Sequence, residues 1–247
     1  MPTIYLSPST QEFNNYVDGS GSEEYYMNLI ADAMVPYLNA SGIAFTRNTP
    51  NMTAASSIRA SNAGNYDLHL ALHSNAAAGA MAGMAQGVEV YYFPQSQRGM
   101  RAAEIIADNM RLIYPDPAKV RTVPTTTLGE VVRTRAPSVL IEYAFHDNPA
   151  DAAWIKNNID LIARYTVLAL TEYFGIPFNM PQGEATGVVR TRGGNVNLRS
   201  GPSINSRVVA SVPNGSRVTV YADVPEWYVV QYNGIDGYIN KQFLQII

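Results

Sequence analysis

Two regimes of hydrophobic patterning divide the chain. Through residue 174, short apolar runs alternate with longer stretches of helical spacing; beyond residue 186 only short runs remain, parted by Gly, Pro, Asn and Asp. The sharpest run covers residues 67–73. Strand side chains alternate, so Leu68, Leu70 and Leu72 share one face and His69, Ala71 and His73 the other. Further strands are predicted at residues 3–6, 43–47, 87–93, 128–133 and 138–141. Val139, Leu140 and Ile141 are consecutive, as in a strand buried on both faces.

Helices are predicted between these strands. Ser20 with Glu23 fits a capping box that opens the first, whose inward stripe is Met27, Ile30, Ala31, Met34 and Leu38. Pro36 should kink or shorten it. Others cover residues 51–63, with Thr53 as cap, 95–113 and 149–174. Residues 76–86, rich in Ala, Gly and Met, read as a flap or a small helical insertion. This alternation predicts an α/β domain over residues 1–175, a mostly parallel sheet flanked by helices. Prolines and glycines mark residues 176–186 as a linker, and residues 187–247 as a small all-β barrel.

Three polar residues are predicted on one rim of that sheet. Glu24 lies in the first turn of the first helix, on its inward side, and His73 and Glu142 end strands. Helix starts and strand C-termini share an edge in such folds. Carboxylate plus imidazole suits a divalent metal, zinc above all, and a second carboxylate can serve a metal-bound water as base. Each residue also has a plainer reading: Glu24 as a carboxylate stabilised by the helix dipole, His73 as a hydrogen-bonded structural histidine.

Composition narrows this picture. The 247 residues suffice for one medium and one small domain, and a 47% hydrophobic content is ordinary. Without cysteine there is neither a disulfide nor a thiolate metal site, and only His69, His73 and His146 can supply imidazole. A net charge of −3 gives no reason to expect nucleic acid or an anionic membrane as partner. No apolar run is long enough for membrane insertion, and the N-terminus lacks the pattern of a secretory signal.

Several blocks taken in order carry a specific resemblance. They are Glu24 with Asn28, Leu29, Ile30 and Ala31; Phe45, Thr46 and Arg47; Arg59 with Ala60 to Asn62; and Asp67 leading to His73, Ser74, Asn75 and Ala76. Gly87 to Tyr91 follow, then Pro137 to Glu142 with Phe145, Asn148 and Asp151. Together they resemble the zinc-dependent N-acetylmuramoyl-L-alanine amidases of the cell-division, clostridial and phage-lysin type. The resemblance implies that Glu24 and His73 hold Zn2+, that Glu142 is the catalytic acid/base, and that Asn75 contacts substrate. The implied reaction is hydrolysis of the amide between N-acetylmuramic acid and the L-alanine of the stem peptide. It also implies a histidine just after strand one, where this chain reads Ser7, Pro8, Ser9, Thr10, Gln11 and Glu12. Thr10 falls at the expected place; Gln11, beside it, is taken as the third ligand. Glu12 lies one place further on, and His146 follows Glu142 in sequence. His69 stands about 13 Å up the strand from His73.

The C-terminal segment resembles bacterial Src-homology-3-like domains through Asn197 to Pro202, Pro213 to Ser216, Glu226 to Val230 and Gly237 to Ile239. Such domains commonly attach lytic enzymes to cell-wall peptides, so peptidoglycan is the implied partner. Trp227 and Tyr228 read as core and wall of that barrel. Lacking a secretory signal, the protein is expected in the cytoplasm until lysis or a holin releases it to the wall. Two rivals stand beside the amidase: a metal-deficient relative that only binds wall, and a zinc endopeptidase of the wall.

Overall fold

Strands β1 (Thr3–Pro8), β2 (Ala44–Arg47), β3 (Leu68–Asn75), β4 (Glu89–Tyr92), β5 (Arg121–Pro124) and β6 (Ser138–Phe145) form one sheet in the order β2-β1-β3-β6-β4-β5. Four of them run parallel, while β4 and β5 run the other way, β4 pairing antiparallel with β6. The computed structural model describes residues 1–181, 185–224 and 226–247. Of the predicted linker, residues 182–184 therefore lie outside the described residues.

Helices α1 (Glu23–Ala40), α3 (Gln97–Arg111) and α6 (Ile159–Phe174) cover the face that carries Leu68, Leu70 and Leu72, and build the main core there. The opposite face is covered by α2 (Ala54–Ala63) and the one-turn α4 (Gly129–Val132), where Val131 packs on Ala71 and Leu140. This unequal cover leaves the C-terminal end of β3 on the second face free for a site.

The structure corrects four local expectations. Residues 128–133 hold the short helix α4 rather than a strand; an apolar run this short does not distinguish the two. The partner of β4 is β5, a stretch with no clear alternation. The helix expected over residues 149–174 is two, α5 (Pro149–Asn157) and α6, broken at Asn158 with φ −128°. The first helix starts under Ser22, whose hydroxyl accepts from the Tyr25 N–H, while the Ser20 hydroxyl donates to Asp18. Pro36 lies inside α1, which continues to Ala40. The flap-like residues are pinned: the Asp147 carboxylate accepts from the N–H of Ala77 at 3.2 Å and of Gly83 at 2.7 Å.

A second, all-antiparallel sheet of seven strands follows. Its strands are β7 (Ala185–Val189), β8 (Asn195–Arg199), β9 (Val208–Pro213), β10 (Arg217–Val224), β11 (Trp227–Tyr232), β12 (Ile235–Asn240) and β13 (Leu244–Ile246), in the order β13-β7-β10-β11-β12-β8-β9. Val189, Leu198, Val212, Val230 and Ile239 fill its interior. Trp227, Val229 and Tyr238 instead join the main core of the first domain. The Asp160 carboxylate, at the start of α6, accepts from the Tyr37 hydroxyl at 2.9 Å and the Tyr238 hydroxyl at 3.1 Å. The Tyr25 and Ser203 hydroxyls are 2.9 Å apart across the same junction. Among the described residues no helix is long and apolar enough to cross a membrane.

Candidate functional site

Register brings the key polar side chains together. His73 of β3 pairs with Glu142 of β6, Glu142 with Glu89 of β4, and Glu89 with Arg121 of β5. Partners in register point to the same face, so these four side chains form one row across the sheet. The row lies on the face that α4 covers, one step beyond Ala71, Leu140 and Tyr91.

At one end of the row stands a triangle of donors. Glu23, buried at the start of α1, places Oε1 2.8 Å from Nδ1 of His73. The side-chain amide nitrogen of Gln11 lies 3.4 Å from that oxygen and 3.4 Å from the same ring nitrogen. The Asn14 amide donates to Oε2 of Glu23 at 2.8 Å and to Oε1 of Gln11 at 3.1 Å, bracing both. Among the described residues no three His, Cys, Asp or Glu side chains converge as a metal-holding group. The third corner of this triangle is an amide.

Glu24 does not enter the site. It is half-exposed, and its carboxyl is raised by desolvation and by the neighbouring Glu12 charge. The carboxylate at the site is Glu23, one residue earlier. Glu23 falls in line with Met27, Ile30 and Met34 on the buried side of the helix. His69 and His146 also lie elsewhere. His69 is fully buried, with Nδ1 2.9 Å from the Ser61 hydroxyl and Nε2 3.2 Å from Glu130. Nδ1 of His146 is 2.7 Å from the Ser74 carbonyl. Asn75 donates to Glu89 at 3.1 Å, so its amide is already engaged at the edge of the row.

Charge sets the protonation pattern. Burial alone would lower the His73 pKa, but its bonds to Glu130 and Glu23 hold it well above the ordinary imidazole value. Burial would raise Glu23; the hydrogen bond and charge of His73, with Asn14, bring it below the usual range. Glu142 differs. Its Oε2 is buried with no hydrogen-bond partner. Desolvation, opposed by His73 but reinforced by the Glu23 and Glu89 charges, pushes its pKa up to about 8. Glu89 is well partnered by contrast: Arg121 pairs with it, and the Tyr91 hydroxyl donates to it at 2.5 Å. A carboxyl poised near neutrality beside an imidazole and a carboxylate can accept and return a proton.

Sequence reasoning missed Glu23, Glu89 and Glu130. The stripe of α1 gives a signal for Glu23; Glu89 and Glu130 depend on pairings between distant segments.

Comparison with known proteins places the chain. The N-acetylmuramoyl-L-alanine amidase family model matches residues 12–172, and a bacterial SH3 domain model matches residues 194–245. No curated protein matches the chain. Among solved structures, the N-acetylmuramoyl-L-alanine amidase AmiC2 of Nostoc punctiforme superposes with a TM-score of 0.61 at 14% identity, covering 70% of this chain and 97% of that one. The CwlD amidase of Clostridioides difficile, solved with the GerS lipoprotein, gives 0.62 at 17%, covering 71% and 99%. The catalytic domain of the CD27L endolysin targeting Clostridia difficile gives 0.55 at 20%, covering 70% and 98%. At these identities the superpositions speak for the fold, while the family model spans most of the chain. The chain belongs to the N-acetylmuramoyl-L-alanine amidase family, with a bacterial SH3 domain at its C-terminal end.

Proposed function

We infer that this protein is a peptidoglycan amidase that hydrolyses the bond between N-acetylmuramic acid and the L-alanine of the stem peptide, with a zinc ion held by Glu23, His73 and Gln11. Family membership supports the reaction class. The observation that carries the site assignment is the unpartnered Oε2 of Glu142, buried in register beside His73. The donor triangle supports the metal: its edges of 2.8, 3.4 and 3.4 Å compare with about 3.4 Å between ligands of a tetrahedral zinc ion. A half-turn of the Gln11 amide, which gives up the bond from Asn14, exchanges its nitrogen for its oxygen and presents a ligand atom at that corner.

Zinc, when bound, would polarise the scissile carbonyl and acidify water. The chain's own residues do the rest. Ionised Glu142 takes a proton from the attacking water and delivers it to the departing alanine nitrogen. Its raised pKa keeps both protonation states accessible near neutrality. Glu89, held by Arg121 and Tyr91, supplies the like charge that helps to keep that pKa high. In the barrel, Arg190, Arg192 and Arg199 line a groove with Trp227 and Phe243. Such a groove suits the carboxylates of wall peptides.

A second reading, a binding protein without metal, draws on the amide at the third corner and on the His73–Glu23 ion pair, which a proton alone can hold. Digestion of purified peptidoglycan in the presence of zinc separates the two. The amidase reading predicts new L-alanine N-termini and glycan fragments free of lactyl-linked peptide. Wall binding with no such products would favour the second reading, and cleavage within the peptide would indicate an endopeptidase.

A further inference from the structure

Among the described residues, Glu130 is a buried carboxylate beside the site to which the mechanism gives no role. It lies on α4, is buried, and shares its oxygens among three partners from two strands. Oε1 accepts from the Ser7 hydroxyl at 2.5 Å and lies 3.2 Å from Nε2 of His69. Oε2 lies 3.2 Å from Nε2 of His73. Ser57 braces Ser7 at 2.7 Å, and the Ser138 hydroxyl donates to the Glu130 carbonyl at 2.7 Å. The carboxylate therefore has little freedom to turn.

We propose that Glu130 is a positioning residue that keeps the proton of His73 on Nε2 and so turns Nδ1 toward Gln11 and Glu23 as a metal-ligating lone pair. The argument is one of competing acceptors. Both ring nitrogens of His73 face a carboxylate: Nδ1 faces Glu23 and Nε2 faces Glu130. An ionised carboxylate can only accept, so each pulls a proton toward its own side. If Glu23 alone were present, the neutral ring would place its hydrogen on Nδ1, between the two residues that should ligate. Glu130 gives Nε2 an acceptor of its own, so that when zinc takes Nδ1 the remaining ring proton stays on Nε2 and Glu23 is left free to ligate through Oε1. Ser7 and His69 hold Oε1 of Glu130, which fixes Oε2 against His73. A partner of this kind behind a ligating imidazole orients the ring and raises its basicity.

The inference rests on the zinc reading above, and its test separates the two. Glu130→Gln keeps the size of the side chain but turns one acceptor into a donor. The expected results are about 10- to 100-fold weaker zinc binding by chelator competition, and loss of a slowly exchanging Nε2–H signal of His73 in nitrogen-15 NMR. Glu130→Asp, which retains the charge, should recover part of both. A purely structural Glu130 would lower the melting temperature but leave zinc affinity within twofold and the Nε2–H signal in place; that outcome overturns the proposal. If Glu130→Gln does not fold, the wild-type spectrum decides. A metal-ligated Nδ1 with a protonated Nε2 supports the assignment, and the reverse refutes it. If wild-type protein takes up no zinc, the zinc reading fails. Glu130 is then judged on the metal-free protein, where absence of a protected Nε2–H overturns its role.

Discussion

Glu142→Gln should both stop catalysis and stabilise the metal-free fold at alkaline pH. The carboxyl titrates near pH 8 in the folded protein, against an ordinary value of 4.5. Below about pH 4.5 it is protonated in both states and contributes nothing to the difference. Between these values the unfolded chain ionises while the folded one keeps its proton, so stability falls as pH rises. Above pH 8 the whole cost is present. At 1.36 kcal/mol per pH unit the ceiling is roughly 5 kcal/mol, and the part of Glu142 open to the cleft brings the expectation to about 2–4 kcal/mol. Glutamine does not titrate and escapes this cost. Urea unfolding in the presence of chelator, at pH 5 and pH 9, measures it. The variant should match wild type within about 1 kcal/mol at pH 5 and exceed it by about 2–4 kcal/mol at pH 9. A difference that stays flat across that range would refute the claim that burial and the neighbouring carboxylates raise this group. The same variant should lose about 100-fold or more of its amidase rate.

Other outcomes follow from the same geometry. Glu23→Gln should abolish tight zinc uptake while Glu24→Gln leaves it within twofold, as isothermal titration will show; equal losses would mean that the helix phase is misassigned. Gln11→His restores an imidazole at the weak corner and should tighten zinc binding by roughly tenfold or more. Zinc entering between His73 and Glu23 must displace the proton on Nδ1, and the imidazole pKa is raised. Affinity should therefore weaken as pH falls, by about tenfold per pH unit below that pKa, and a pH-independent constant would exclude Nδ1 as the ligand. At the junction of the two domains, Tyr238→Phe removes one donor to buried Asp160 and should cost about 1–2 kcal/mol in thermal or urea unfolding. No change would show that the barrel is not held there.

Legibility in the sequence followed locality. His73 and Glu142 were readable because each ends an apolar strand run, and alternation alone assigns their side. The α/β domain and the barrel were readable for the same reason. The choice between Glu23 and Glu24 turned on one residue of helix phase. Glu23 precedes Met27, Ile30 and Met34 by four, seven and eleven residues; Glu24 precedes Met27 and Ala31 by three and seven. Both series suit an inward side chain; in the fold Glu23 is the one buried against His73. Glu89, Glu130 and Arg121 acquire meaning solely through pairing. Glu89 sits in an ordinary strand until β4 turns antiparallel to β6 and sets it beside Glu142. Glu130 lies in a four-residue helix whose apolar neighbours mimic a strand. Two buried carboxylates, Glu23 and Glu130, around two histidines are costly unless matched, and the match comes from segments fifty or more residues apart.

The central claim is that Glu23, His73 and Gln11 hold one zinc ion beside Glu142. Anomalous diffraction at the zinc edge from crystals of the zinc-loaded protein tests it most directly. A single peak within about 2.0–2.3 Å of a Glu23 oxygen, Nδ1 of His73 and the Gln11 amide oxygen is the expected result. A peak bound through Glu24 or His69, or no peak at this site in saturating zinc, would contradict it.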